Sequence, residues 1–352
     1  MVSAVVTRVY KIDPLQDVRW PRFLEMHPTA TLFHSTEWLD ALQLTYGYRA
    51  SVLTTSRPGE RLTNGLVFCR VQSWLTGRRL VSVPFSDHCT PLIDSEEQFG
   101  CLLSHLQQEA DQGREKYLEI RPIAGGTGVP ASLAGSATFC LHRLNLRLTL
   151  NELFHAFHGS CIRRKIARAE REGVTYEDGT SEELLQKFYQ LVVLTRWRQQ
   201  LPPQPLSWFR TLIACFGERV KIRLASHKGQ PAAGIFTISY KNTMTYKYGC
   251  SDPQFHRLGS MQLLIWKAIQ EAKGNGLVEF DMGRTDWNNE GLLTFKDRWG
   301  GTRSTLLYVR HPAPKPDHRR EDIPMRIAKR VFAWAPARFL STAGNILYRH
   351  IA

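Results

Sequence analysis

The residues best suited to chemistry lie in Gly291-Leu-Leu-Thr-Phe-Lys-Asp-Arg-Trp-Gly300. A cation such as Lys296 beside a reacting ester can hold the negative charge of a tetrahedral intermediate, or bind a donor phosphate. Phe295 beside it can stack on a base or exclude water. The same spacing suits an exposed lysine on a short amphipathic helix with Phe295 in the core. A second set is Thr195-Arg-Trp-Arg198, followed by Leu201-Pro-Pro-Gln-Pro205. Arginines at i and i+2 point apart on a helix. Arg196 and Arg198 therefore reach one anionic ligand only where the helix ends, and the prolines end it. The plain alternative is a helix end whose arginines satisfy its last carbonyls.

Three further sets are weaker. Tyr246 and Tyr248 are expected on one face of a strand, because strand side chains alternate with period two. Their hydroxyls could orient a sugar or a peptide amide, or the rings could simply pack across strands. Asp252, before Pro253, reads as a turn cap. Cys161-Ile-Arg-Arg-Lys-Ile-Ala-Arg-Ala-Glu-Arg171 is a basic helix that suits phosphate binding or a solvated face. The loop holding Asp87, His88 and Asp94 is polar in an apolar setting, and Asp87 is taken as a substrate-binding candidate from which a general base could come. Gly125-Gly-Thr-Gly128 lacks the Lys-Ser or Lys-Thr end of a phosphate-binding loop and reads as a turn.

The elements that must position these residues form two mixed regions and a tail. In residues 1–148, a helix capped by Ser35 or Thr36 ends at Gly47, and a second runs over Ser95–Gln112. Strands surround both. In 149–311, helices reach Glu172 and a long helix spans Ser181–Gln200. A shorter one covers Leu206–Phe216. Strands follow at Val220–His227, Ala232–Tyr240 and Thr243–Cys250, then a helix over Arg257–Gly276 and a strand over Leu277–Met282. Residues 312–352 are a Pro-rich linker and a basic amphipathic tail. That tail suits an anionic membrane surface or packing back onto the first domain.

The chain has 352 residues and a formal net charge of +14, which favours polyanionic partners such as tRNA, anionic lipid or a diphosphate-bearing substrate. Its seven cysteines include no Cys-x-x-Cys pair. That pattern argues for a reducing cytoplasm and against a disulfide framework or a zinc site. No apolar run is long enough for a membrane span, and no signal-peptide core is seen.

The order of strand, loop, long helix, strand, glycine turn and short helix over residues 246–300, with Phe295-Lys296 and Trp299-Gly300, resembles the Fem-type branch of the GNAT acyltransferase superfamily. The resemblance covers roughly residues 30–311 and is strongest over 160–300. It implies an α/β (α+β) fold of two tandem GNAT-like domains with mixed, largely antiparallel sheets. It implies transfer of an aminoacyl or acyl group to an amine of a cell-envelope or amino-sugar acceptor, near the inner face of the membrane. The donor would be aminoacyl-tRNA or acyl-CoA, with no further cofactor and no metal.

By the same resemblance, Phe295 and Lys296 serve the aminoacyl-tRNA end. The Thr-x-x-Arg pattern matches Thr195 and Arg198, whose arginine helps hold the acceptor, with Arg196 its neighbour. Arg164, Ala169 and Gly173-Val174 match a further family stretch. Two departures stand out. Thr90 replaces a glycine of the family's Gly-Pro turn. His256-Arg-Leu-Gly-Ser-Met261 has one glycine where CoA-dependent relatives have a glycine-rich turn. The alternatives are an acyl-CoA-dependent N-acyltransferase of polysaccharide or lipid biosynthesis, or a non-catalytic membrane-surface or nucleic-acid-binding protein on a degenerate GNAT scaffold.

Overall fold

Helix starts follow side-chain caps. Ser35, Ser95, Thr149 and Ser181 each accept a backbone N–H from the first turn of the helix behind them. Gly47, at φ 75°, closes the helix that Ser35 opens, in a left-handed conformation that suits glycine. A computed structural model describes residues 7–133, 135–313 and 347–350. The first elements are β1 (Tyr10–Ile12), α1 (Arg19–Met26), α2 (Thr36–Tyr46), β2 (Ala50–Thr54), β3 (Leu66–Ser73), β4 (Gly77–Val81), α3 (Glu96–Gln112) and β5 (Tyr117–Ile120). Next come β6 (Ala137–Asn145), α4 (Leu150–Ala156), α5 (Arg164–Arg171), β7 (Thr175–Gly179), α6 (Glu182–Arg198) and α7 (Leu206–Phe216). The last are β8 (Val220–His227), β9 (Gln230–Tyr240), β10 (Thr243–Ser251), α8 (Ser260–Gly274), β11 (Glu279–Thr285), α9 (Glu290–Asp297) and β12 (Thr302–His311).

The described residues of Met1–Phe139, Thr305–Pro316 and Arg349–Ala352 form one compact unit, and those of Cys140–Ser304 and Asp317–Tyr348 form a second. This division differs from the ranges 1–148 and 149–311, and strand pairing is the reason. Cys140–Asn145 of β6 pairs with β11, so it belongs to the second unit. Leu118–Ile120 of β5 pairs with Val309–His311 of β12, so the end of β12 belongs to the first. In the first unit the strand order is β1-β2-β3-β4-β5-β12, antiparallel except for β4 with β5. In the second it is β6-β11-β10-β9-β8-β7, antiparallel except for β10 with β11.

Each unit has its own core. Phe68, Leu80, Phe99, Leu102 and Leu118 lie in the first. Phe157, Ile166, Ile269, Phe280 and Trp299 lie in the second. Burying one such side chain contributes roughly 1.5–3 kcal/mol.

Several local expectations shift. The helix expected from Arg257 starts only at Ser260, because Pro253–Leu258 form a 3-10 turn and Gly259 is left-handed at φ 82°. The strand expected to stop at Met282 runs through Gly283 to Thr285. Strand β12 was not foreseen. The basic tail lies outside the described residues except for 347–350. There the His350 carbonyl accepts from Thr76 Oγ1 at 2.8 Å and from Arg79 Nη2 at 3.1 Å. Among the described residues, no helix is long and apolar enough to cross a membrane.

Candidate functional site

The site grows from a parting of two strands in the second unit. Strands β10 and β11 pair in parallel only over Thr243↔Glu279, Met244↔Phe280 and Thr245↔Asp281. Beyond that point β10 continues along β9 alone as far as Ser251, and β11 continues along β6. Both strands change register at the parting, β10 between Tyr246 and Tyr248 and β11 between Asp281 and Arg284. Such bulges re-aim side chains and interrupt pairing.

The bulge in β10 corrects the expectation that Tyr246 and Tyr248 share a face. Tyr246 packs with the core under α8, its hydroxyl 3.9 Å from Met261 Sδ. Tyr248 turns to α7, where its hydroxyl accepts from Trp208 Nε1 at 2.7 Å and its ring meets Phe209 edge-on. The inserted residue breaks the period-two alternation. Gly249 is required here, since a side chain would run into the Tyr246 ring.

The bulge in β11 is braced by Lys296. This lysine is 3% exposed, and its Nζ donates to the carbonyls of Gly283 at 2.7 Å and Arg284 at 3.2 Å. Asp281 Oδ1 accepts from Gly283 N at 2.7 Å. Lys296 is therefore not the exposed lysine of the plain alternative, and its ammonium is turned onto the strand backbone. Phe295 packs on the core beside Trp299.

Asp297, next on α9, accepts from His142 Nε2 at 3.1 Å and pairs with the Arg303 guanidinium. His142 Nδ1 lies 3.6 Å from Cys140 Sγ. Burial holds the His142 pKa below the ordinary value despite the Asp297 bond. The Arg303 pairing holds Asp297 below its own. Cys140 and His142 share one face of β6, a pattern visible in the sequence. Their partnership with Asp297 is not, since 155 residues separate it from His142.

On the face of β10 that meets α6 lies a pocket of about 160 Å³. Thr195, Arg196, Gln199, Gln204, Lys247 and Tyr248 are among its walls. Gln204 is 8% exposed, and its Oε1 has no hydrogen-bond partner among the described residues. Arg196 Nη1 donates to Gln199 Oε1 at 3.3 Å. Arg198 points elsewhere, its Nη1 3.5 Å from the Ser251 carbonyl. The two arginines diverge as helix geometry requires, and Arg196 rather than Arg198 lines the pocket.

Thr195 Oγ1 accepts from Ser251 N at 3.0 Å and so ties α6 to the end of β10. Ser251 Oγ and His256 Nε2 are 2.9 Å apart. Burial, then the neighbouring Arg198 and Lys165, hold His256 below its ordinary pKa, against the pull of Asp252.

Other expected residues are not gathered here. Arg164 is exposed at the start of α5. Asp87 belongs to the first unit, where its carbonyl accepts from the Tyr308 hydroxyl at 3.0 Å. At the start of α8, a side chain on Gly259 would meet the Lys165 carbonyl, and Ser260 Oγ is buried without a partner among the described residues. The described residues hold no group of three or more His, Cys, Asp or Glu placed to bind a metal.

This parted-strand geometry coincides with a family match. Residues 159–297 match the family described as Acetyltransferase (GNAT) domain. The matched stretch lies within the second unit, and the fold of the chain is similar to that of solved Fem-type and tandem GNAT structures. The structure of FemX is similar at TM-score 0.65 and 15% identity, covering 84% of this chain and 96% of that one. That of L-PGS from Bacillus licheniformis is similar at TM-score 0.54 and 15% identity, over 91% and 97% of the two chains. A tandem GNAT protein from the clavulanic acid biosynthesis pathway is similar at TM-score 0.55 and 12% identity, over 88% and 99%. No curated protein matches the sequence significantly.

Proposed function

We propose that this protein transfers an aminoacyl group to an amine on an anionic cell-envelope or amino-sugar acceptor. One observation carries the reading: the pocket with Arg196 and Lys247 opens on residues 247–250, the stretch of β10 that has parted from β11. An anionic group of the acceptor held there leaves its amine beside backbone donors that no longer meet β11. Arg196 supplies charge-assisted bonds, and the amide of Gln204 supplies a further partner.

The chemistry needs a neutral amine. The amine enters neutral, and as its nitrogen attacks the donor carbonyl the Ser251 hydroxyl relays the proton it sheds to His256 Nε2, which is kept uncharged near neutral pH by burial and by the cations beside it. The ester oxygen leaves with the proton returned by His256. Lys296 acts here by holding the bulge of β11 in place rather than by touching the ester.

Aminoacyl-tRNA is favoured as donor over acyl-CoA. The start of α8, where a CoA pyrophosphate would need a roomy glycine turn, has the Lys165 carbonyl packed against its single glycine. The net charge of +14 suits tRNA as well. The names of the similar structures, FemX and L-PGS, and the clavulanic acid pathway protein fit acyl or aminoacyl transfer onto differing acceptors.

The test is a transfer assay with charged bulk tRNA and acetyl-CoA as alternative donors and UDP-linked amino-sugar peptides as acceptors. Labelled aminoacyl acceptor formed from tRNA alone supports the reading. Product from acetyl-CoA alone moves the protein to the acyl-CoA alternative. Product from neither donor removes the transferase assignment for these acceptors.

A further inference from the structure

The β3–β4 hairpin of the first unit carries an apolar tip that the described residues leave largely uncovered. Trp74 is 79% exposed and Leu75 49% exposed, whereas Trp20 and Trp38 of the same unit are fully buried. The tip is not a loose loop. Ser73 Oγ accepts from Leu75 N at 3.1 Å and Thr76 N at 2.9 Å, which closes the turn on itself. Trp74 Nε1 donates to His350 Nε2 at 3.0 Å, and the His350 carbonyl is tied to Thr76 and Arg79. The indole is therefore held in place with most of its surface in water. Contiguous exposed apolar surface of this kind marks an interaction site.

The charge around the tip is positive. Arg78 follows the turn with about half its side chain exposed. Lys116 is exposed and lies against Gly77, its backbone N–H bonded to the Arg78 carbonyl at 2.8 Å. Arg349 is exposed, its carbonyl held by the Tyr48 hydroxyl at 2.9 Å. The carboxylate of Glu115, which pairs with Arg78, is buried and pairs with Arg70 as well. In sequence, the segment leading to Arg349 adds Arg326, Lys329, Arg330 and Arg338 with no acidic residue after Asp322.

An indole and a leucine at a turn followed by Arg78 and flanked by Lys116 match one environment closely. Indole rings settle at the bilayer–water interface, and cations beside them gain from anionic headgroups. We propose that the Trp74–Leu75 turn inserts into the interface of an anionic membrane, with Arg78, Lys116 and Arg349 resting on the headgroups. The hairpin thereby gives the protein a fixed point of attachment that is separate from its basic tail. This holds whether or not the transfer reaction is as proposed.

The experiment is co-sedimentation of the full chain with vesicles of phosphatidylcholine alone and of phosphatidylcholine with phosphatidylglycerol. The wild type is expected to pellet with the anionic vesicles only, and less at high salt. The variant Trp74→Ser/Leu75→Ser should bind at least about tenfold more weakly, since burial of an apolar side chain is the step removed. Both positions are exposed, so unchanged melting of the variant shows that the fold is intact. As a second reading, vesicles with brominated acyl chains should quench tryptophan emission of the wild type, and Trp74→Phe should lose most of that quenching. Equal pelleting of wild type and double variant overturns the proposal, as does failure of the wild type to bind anionic vesicles. A protein partner captured by the tip in place of lipid would appear as the second of these outcomes.

Discussion

Lys296 Nζ donates to the Gly283 carbonyl at 2.7 Å. That bond ties α9, which carries the Phe-Lys pair, to the bulge at which β11 leaves β10. A buried ammonium persists only when its donors are satisfied. Here the carbonyls of Gly283 and Arg284 lie within reach because the bulge turns them toward α9.

The variant Lys296→Ala should therefore lose stability as well as transfer. Two carbonyls lose a buried donor, and an unsatisfied buried group costs about 1–3 kcal/mol. Urea unfolding measures it. An unchanged midpoint together with lost transfer would return Lys296 to a direct role at the reacting ester.

Arg196→Ala should weaken acceptor binding by about 1.5–3 kcal/mol, the usual value of a hydrogen bond to a charged group. Arg198→Ala should have a smaller effect, because its guanidinium lies by the Ser251 carbonyl and outside the pocket. Calorimetric titration with an anionic acceptor decides between them. A larger loss at Arg198 would mean that the pocket is not the acceptor site.

His256→Gln should remove the acid limb of the pH–rate profile. The folded pKa of His256 lies below 6.5, so the neutral base is retained as pH falls to that value and is lost only below it. In the wild type, kcat/KM should fall with an apparent pKa under 6.5. The variant should be slower by about 10²–10⁴-fold, the usual worth of general base catalysis, with a flat profile in that range. An acid limb that persists in the variant would place the base elsewhere.

What could be read from the sequence was what local rules control. Ser181 and the prolines after Leu201 frame α6 to within two residues, because caps and missing N–H groups act locally. The divergence of Arg196 and Arg198 also followed from helix geometry. What escaped depended on pairing across the chain. The bulge that separates Tyr246 from Tyr248 exists because β9 and β10 slip by one residue, and nothing in Tyr246-Lys-Tyr-Gly249 announces it beyond the glycine. His142 acquires meaning only when β6 passes Asp297. Gln204 reads as part of a helix stop, and its unsatisfied oxygen is visible only once the pocket wall is built.

The first unit carries its own pH dependence at His34, which is 1% exposed. Its Nδ1 accepts from Thr31 N at 3.1 Å, and its Nε2 donates to the Thr90 carbonyl at 2.9 Å. That pairing needs the neutral ring, since a proton on Nδ1 would face the Thr31 N–H. Burial moves the pKa down to about 4, with His88 and His27 adding to the effect. The unfolded chain titrates near 6.5, so below that pH it binds a proton that the folded unit refuses. Stability from this group is complete above about 6.5 and is lost as pH falls toward 4. The gap is worth about 3 kcal/mol. Urea unfolding at pH 7, 5.5 and 4.5 should show this decline, and His34→Gln should flatten it by about one proton. Parallel pH profiles for wild type and variant would show that His34 accepts its proton without disturbing the unit.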